Sequence, residues 1–386
     1  MTDSTAGTPA AGTAPAGRVG DHTPAGADAR RDPIDWAVAA GTAARLVPPG
    51  PRMSARQARA EAEGLRAAAE ASVPHVHRLT GLEAAQDLRD SQVLVVDRAT
   101  WAKANTQSFQ ALLSPSFDHL AATRPQEYAT STTPVATAAT GAELGALLAF
   151  LGSKVLGQYD PFAALSGFGG RLMLVAPNVA QVRAEINVVP EDFRLWVCLH
   201  EQTHRVQFAA APWLAGHLQQ RITELTGAMF DKSDSLPERL RTALASARPG
   251  RKDDDGPRPG LLGALQDDED RARMSHLTAV MSLLEGHANV VMDAVDAEVV
   301  ETVKTIRRRF DARGDRRSPL ERFVRRLIGM DAKMRQYADG QKFVSAAVAE
   351  LGMDGFNVVW DDPALLPTEP EIHAPDTWVA RIRREA

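Results

Sequence analysis

The stretch "VCLHEQTHRVQF" (Val197–Phe208) sets His200 and His204 four residues apart, with Glu201 directly after the first. On an α-helix, residues four apart share one face a turn from each other, so two imidazoles at this spacing converge their ring nitrogens on one point. Glu201, about 100° further round the helix, stands beside that point. Two neutral nitrogens suit a zinc ion, and an adjacent carboxylate suits a general base that takes the proton of an attacking water. The plainer reading of the same residues is two histidines hydrogen-bonded in a core or at a surface. A third ligand separates the two.

A zinc site that keeps a position open for chemistry takes three protein ligands. In one class of such enzymes a glycine and a histidine follow the second histidine by three and six residues; Gln207 and Ala210 hold those positions, which excludes the class. A second class takes glutamate from a later helix, and Glu224 and Glu285 are the candidates. Glu224 is followed one turn on by Ala228, which cannot buttress an imidazole. Glu285 opens "EGHANVVMDAV", where Gly286 lets a second helix come close and Asn289 stands one turn on as a hydrogen-bond acceptor for a ligating histidine, so Glu285 is preferred. In the same segment His287 is a rival ligand, an oxyanion donor or a structural histidine, and Asp293 is a further supporting candidate. His217 and His276 read as structural, and His75 and His77 in "PHVHR" have a spacing that converges only on a strand.

These residues need helices to hold them. A helix from near Pro190 carries the motif, with Phe193, Trp196, Val197 and Phe208 as its apolar surface, while Cys198 points away from the histidines. A long helix from near Asp270 carries Glu285. Further helical periodicity runs through Asp32–Val47 and Ser54–Leu79. The apolar segment Leu144–Gly157 reads as a buried helix, short for a membrane span, with Thr140 and Glu143 as a capping box and Gly145 and Gly152 as sites of close helix approach. Strand signals occur at Ser91–Trp101, at Gly170–Val179 and, as a second short candidate beside the last, at Glu185–Pro190. The expected fold is mainly α with a small β-sheet, of the α+β class.

The 386 residues, 44% hydrophobic and 24% charged, suffice for a large core. Net charge of -5 and a pI near 6.1 disfavour nucleic acid as a partner, and no membrane partner is expected. With Cys198 the sole cysteine, neither an intrachain disulfide nor a cysteine zinc cluster is available. Residues 1–31, rich in Ala, Gly, Thr and Pro and without a signal-peptide pattern, read as a disordered tail; residues 32–386 read as one domain with a flexible insertion at about 246–260, and the expected location is the cytoplasm. The basic segment Thr305–Arg326 reads as a solvated helix surface with salt bridges, in which Ser318, Pro319 and Glu321 mark a helix start.

Together "LHEQTHRVQFAAAPWL", "SLLEGHANVVMDAV", "KVLGQYDPF", "RLMLVAPNV" and "KMRQYADGQKFV" resemble the zincin-type, zinc-dependent metalloprotease-like proteins, some of which are labelled as associated with coenzyme F420 biosynthesis. The resemblance spans roughly Asp32 to Arg384. It implies a zincin-like, helix-rich fold with Zn2+ held by His200, His204 and Glu285, Glu201 as general base, and no bound F420. The expected reaction is hydrolysis of a peptide or protein substrate, with Tyr337, His287 and Arg335, in that order, as donors to the oxyanion. "RLMLVAPNV" is the expected sheet edge for a bound peptide, with a buried core strand as its alternative. The competing functions are a non-catalytic zinc-containing scaffold or binding protein and a small-molecule amidohydrolase.

Overall fold

The computed structural model describes residues 31–89, 91–167, 169–231, 268–314 and 330–385. The N-terminal tail up to residue 30, the Ser246–Gly260 insertion and the helix start at Ser318, Pro319 and Glu321 lie outside them. Asp32–Ala386 forms one compact unit, and it is mostly helical with a three-stranded sheet.

Local chemistry sets most boundaries. α1 (Trp36–Leu46) starts where the Asp35 carboxylate accepts from the Val38 N–H. α2 (Ala55–Thr80) starts in a Ser54–Gln57 capping box and stops at Gly81, whose φ of 67° only glycine adopts without strain. α3 (Arg98–Thr123) is capped by Asp97, and short α4 spans Pro125–Ser131. α5 (Pro134–Gly152) starts six residues before Thr140 of the Thr140–Glu143 pair proposed as its cap. Thr133 caps it instead with Pro134 as first helical residue, a stronger start, and Thr140 lies inside, donating to the Ala136 carbonyl. Gly145 backs onto Ala39–Ala43 of α1 and Gly152 onto Trp101 of α3, as their small size suggested. By length and composition the 19-residue α5 is apolar enough to cross a membrane, and 33% of its apolar window is buried within the protein.

The sheet has the order β1 (Ser91–Val96), β3 (Gly170–Val175), β2 (Gly157–Asp160). β1 runs parallel to β3 with Ser91 opposite Gly170; β2 runs antiparallel to it with Gly157 opposite Leu174. Successive β3 residues face opposite sides, so Leu174 enters the large core while Met173 and Val175 enter a smaller one with Ala43, Trp101 and Leu148. The chain turns directly from β3 into α6 (Ala176–Ile186), started by Pro177 and ended by Asn187 at φ 51°. Glu185–Pro190 is therefore a helix end and a turn rather than a strand: Glu185 and Ile186 close α6, and left-handed Asn187 caps it.

α7 (Pro190–Ala210) and α8 (Leu214–Asp231) follow, then α9 (Asp268–Ala294), α10 (Val303–Gly314) and α11 (Met330–Asn357), the last interrupted at Gly352. α12 (Glu369–His373) and α13 (Pro375–Glu385) close the chain. The large core lies where α2, α7, α9 and α11 meet, around Phe193, Leu199, Leu283, Phe343 and Trp360. In the described part of the basic segment Arg313 pairs with Glu185, a salt bridge of the kind the sequence suggested, while Arg309 and Arg307 instead cap helix ends, Arg309 at the Ile186 and Asn187 carbonyls of α6 and Arg307 at Met292 of α9.

Candidate metal centre

α7 divides its motif between anchoring and chemistry. On one side Gln202 donates to the Ala69 carbonyl of α2 at 2.8 Å, and the Cys198 thiol reaches the Leu65 carbonyl. Arg205 is buried and binds Ser91 Oγ at 2.7 Å and the Leu88 carbonyl at 2.6 Å, fixing the helix to the start of β1. Burial pushes the Cys198 thiol well above its ordinary range, so it stays protonated and inert. With that side held, His200 and His204 face α9 and Glu201 faces the sheet.

His200, His204 and Glu285 bring one donor atom each within 4.8 Å of one another. The two histidine Nε2 atoms are 3.3 Å apart with perpendicular rings, and His204 Nε2 is 3.9 Å from Glu285 Oε2. A tetrahedral ion with bonds of 2.0–2.1 Å holds its donors about 3.3–3.4 Å apart, so the pair of nitrogens fits zinc as placed and the half-buried carboxylate needs only a small closing movement. Burial, then the neighbouring His204, lowers the His200 pKa to about 4, which leaves its lone pair free at neutral pH.

The carboxylate reaches this point through a close helix crossing. A β-carbon on Gly286 would collide with the Gly340 backbone, and one on Gly340 with the Ser282 carbonyl, so α9 and α11 cross glycine on glycine beside Glu285. Glu201 is 8% exposed, and burial followed by the nearby Glu285 raises its pKa to about 8. It lies under β2: a β-carbon on Gly157 would sit 2.6 Å from Glu201 Cγ and 3.0 Å from its Oε1. Behind His204, the fully buried Gln207 amide binds three groups. His204 Nδ1 is 3.0 Å from Gln207 Oε1; Gln207 Nε2 lies 2.8 Å from the Leu284 carbonyl and 3.0 Å from His287 Nδ1.

A family profile described as zincin-like metallopeptidase matches residues 34–379, nearly the whole chain. The chain belongs to this family. A crystal structure from Chloroflexus aurantiacus, described as a candidate hydrolase with a novel fold, is 30% identical over 92% of this chain and 100% of its own, with a TM-score of 0.61. No functionally curated protein matches. The family implies a metal cofactor, usually zinc, and both matches support a hydrolase.

Within this zincin-like chain the remaining sequence candidates fall elsewhere. Glu224 lies on α8 and pairs with Arg221 at 2.8 Å. Asn289 makes no hydrogen bond to either motif histidine; that position is taken by Gln207, which the sequence reading treated only as a missing glycine although it lies three residues from His204 on the same helix face. Asp293 is surface-facing, bound to Gln341 at 2.6 Å and near Arg307. His287 is completely buried, stacked on Phe356 and tilted against Trp360, and its Nδ1 meets Gln207 rather than the three convergent donors; burial, then the neighbouring His204, lowers its pKa to about 3, and its Nε2 has no hydrogen-bond partner. Tyr337 and Arg335 belong to α11 itself, Tyr337 three residues before Gly340, and their side chains lie outside the description. His217 and His276 bond to each other at 2.7 Å, and His75 and His77 sit on α2, two apart on a helix and so facing apart. "RLMLV" is the central strand, paired on both sides, so it cannot receive a peptide; among the described residues β2 pairs with β3 alone and leaves its other edge open beside Glu201.

Proposed function

We propose that the chain is a zinc-dependent peptidase with Glu201 as general base. The observation that carries this reading is a buried carboxylate that is not one of the three convergent donors yet lies next to them and directly under an open sheet edge. Zinc held by His200, His204 and Glu285 would supply Lewis acidity, polarising the scissile carbonyl and acidifying the attacking water. Glu201, whose pKa burial raises to about 8 and a bound cation would bring back down, would as the carboxylate take the water proton and then hand it to the leaving amine. A peptide strand added along β2 would pass Gly157, whose lack of a side chain lets substrate backbone and Glu201 come together. Tyr337, one turn before the α9–α11 crossing, is the proposed donor to the oxyanion.

The test combines metal analysis of the purified protein with a broad peptide-cleavage screen and the Glu201→Gln variant. The expected result is one equivalent of zinc in both proteins, with peptide turnover lowered by about 10²–10⁴-fold in the variant, the usual contribution of a positioned base. Absence of stoichiometric metal sinks the reading. Equal behaviour of both proteins in every assay makes the chain a zinc-containing binding protein, and turnover of small amides without peptides makes it an amidohydrolase.

A further inference from the structure

Gln207 does more than fill space behind the histidines. Its amide has one acceptor oxygen and two N–H donors, and each has a specific neighbour: His204 Nδ1 at 3.0 Å from the oxygen, and the Leu284 carbonyl at 2.8 Å and His287 Nδ1 at 3.0 Å from the nitrogen. Only one orientation satisfies all three. Turning the amide over would set its oxygen against the Leu284 carbonyl, two acceptors at hydrogen-bond distance inside a fully buried site, where an unmade bond is costly. It would also present an N–H to His204 Nδ1, which would then be the unprotonated nitrogen, leaving the proton on Nε2. An imidazole protonated at Nε2 cannot bind a metal through that atom.

We infer that Gln207 is a positioning residue that holds His204 in the Nδ1–H form, its own orientation being chosen by the Leu284 carbonyl. This rests on the metal-site reading only for its purpose; the tautomer itself is a property of the metal-free protein. Leu284 immediately precedes Glu285, so the amide also ties the helix of the two histidines to the backbone that carries the acidic donor. His287 takes up the second amide hydrogen and in this scheme is secondary: the carbonyl alone forbids the reversed amide.

Long-range ¹H–¹⁵N NMR on the metal-free, histidine-labelled protein reads the tautomer directly, and zinc competition with a chromophoric chelator reads the consequence. The wild type is expected to show His204 protonated at Nδ1. Gln207→Leu, of similar size and without polar atoms, is expected to lose that preference and bind zinc about 10–100-fold more weakly, the usual cost of removing a hydrogen-bond partner of a ligating histidine. His287→Phe is expected to keep the tautomer and stay within about threefold of wild-type affinity. An Nε2-protonated His204 in the wild type overturns the inference even if Gln207→Leu does not fold, as does unchanged zinc affinity in a folded Gln207→Leu. Loss of the tautomer in His287→Phe overturns the part given to Leu284. If the wild type has the expected tautomer but takes up no zinc, the metal reading fails and the role of Gln207 stands.

Discussion

Among the described residues two pairs of histidines meet Nε2 to Nε2, and they differ in what fits between them. His200 and His204, on one helix, are 3.3 Å apart with the Glu285 carboxylate 3.9 Å from the second ring. His217 and His276, on α8 and α9, are 2.7 Å apart. An ion bonded to two nitrogens keeps them about 3.3–3.4 Å apart, whereas a shared proton holds donor and acceptor at about 2.7–3.2 Å. The first pair is spaced for a metal and the second for a hydrogen bond. Burial lowers the pKa of His200, His217 and His276 alike, so neutrality does not distinguish the pairs; separation and a convergent carboxylate do.

The largest effect that separates them is loss of a ligand. Zinc binding worth about 10–16 kcal/mol in total, spread over a few ligands, makes each ligand worth roughly 3–4 kcal/mol. Glu285→Ala is expected to weaken zinc binding several hundredfold by chelator competition, and His276→Ala to leave it unchanged. Zinc affinity lost in His276→Ala, or kept in Glu285→Ala, would erase the distinction.

A second contrast appears in protons. In the metal-free protein the Glu201 pKa of about 8 keeps that carboxyl mostly protonated at pH 7, while His200, at about 4, carries no proton to lose. A bound cation favours the carboxylate, so zinc binding at pH 7 is expected to release close to one proton, falling away as pH rises past 8. Calorimetry in buffers of different ionisation enthalpy measures this, and Glu201→Gln should remove it. The same shift carries a stability cost. Unfolded, Glu201 ionises near 4.5; folded, it holds its proton until about 8, so between those values rising pH favours the unfolded chain. Metal-free Glu201→Gln should therefore be more stable than wild type at pH 8, by a few kcal/mol, with the gap closing toward pH 4.5. A gap that widens on acidification contradicts the buried, uncharged state of Glu201.

What the sequence made legible were residues whose chemistry restricts their surroundings. Two imidazoles one turn apart converge wherever the helix sits, and Gly286 inside an apolar helix has few reasons to exist other than a close crossing, which it makes with Gly340. Gln207 was opaque because a helical glutamine has no preferred role; its function comes from Leu284 and His287, some eighty residues away. β2 was missed as a strand because four residues containing Gly157 and Asp160 carry no alternation, and only pairing with β3 and packing on α7 make it one. The misplaced edge strand follows from the same limit: "RLMLV" has the strongest strand signal because it is buried on both faces and paired on both sides, the opposite of what an edge requires.

The smallest expected effect tests the second histidine pair on its own terms. A neutral hydrogen bond between half-exposed imidazoles is worth about 1 kcal/mol, so a double-mutant cycle with His217→Leu and His276→Leu should give a coupling energy of about that size at pH 8, read from urea melts. Burial is the main cause of the lowered pKa at both rings; for His217 the neighbouring His276 and then Arg221 add to it, for His276 Arg221 does, and Glu224 opposes the shift at both. With folded values below 6.5, the unfolded chain takes up protons first as pH falls, so the pair loses stabilising effect from about pH 6.5 downward and the doubly substituted protein should show a shallower acid loss. Water around these half-exposed rings keeps that slope modest. Repeating the cycle with a second equivalent of zinc is the sharpest version: a coupling energy unmoved by zinc keeps the proton between His217 and His276, and one that grows puts an ion there and makes the two pairs alike.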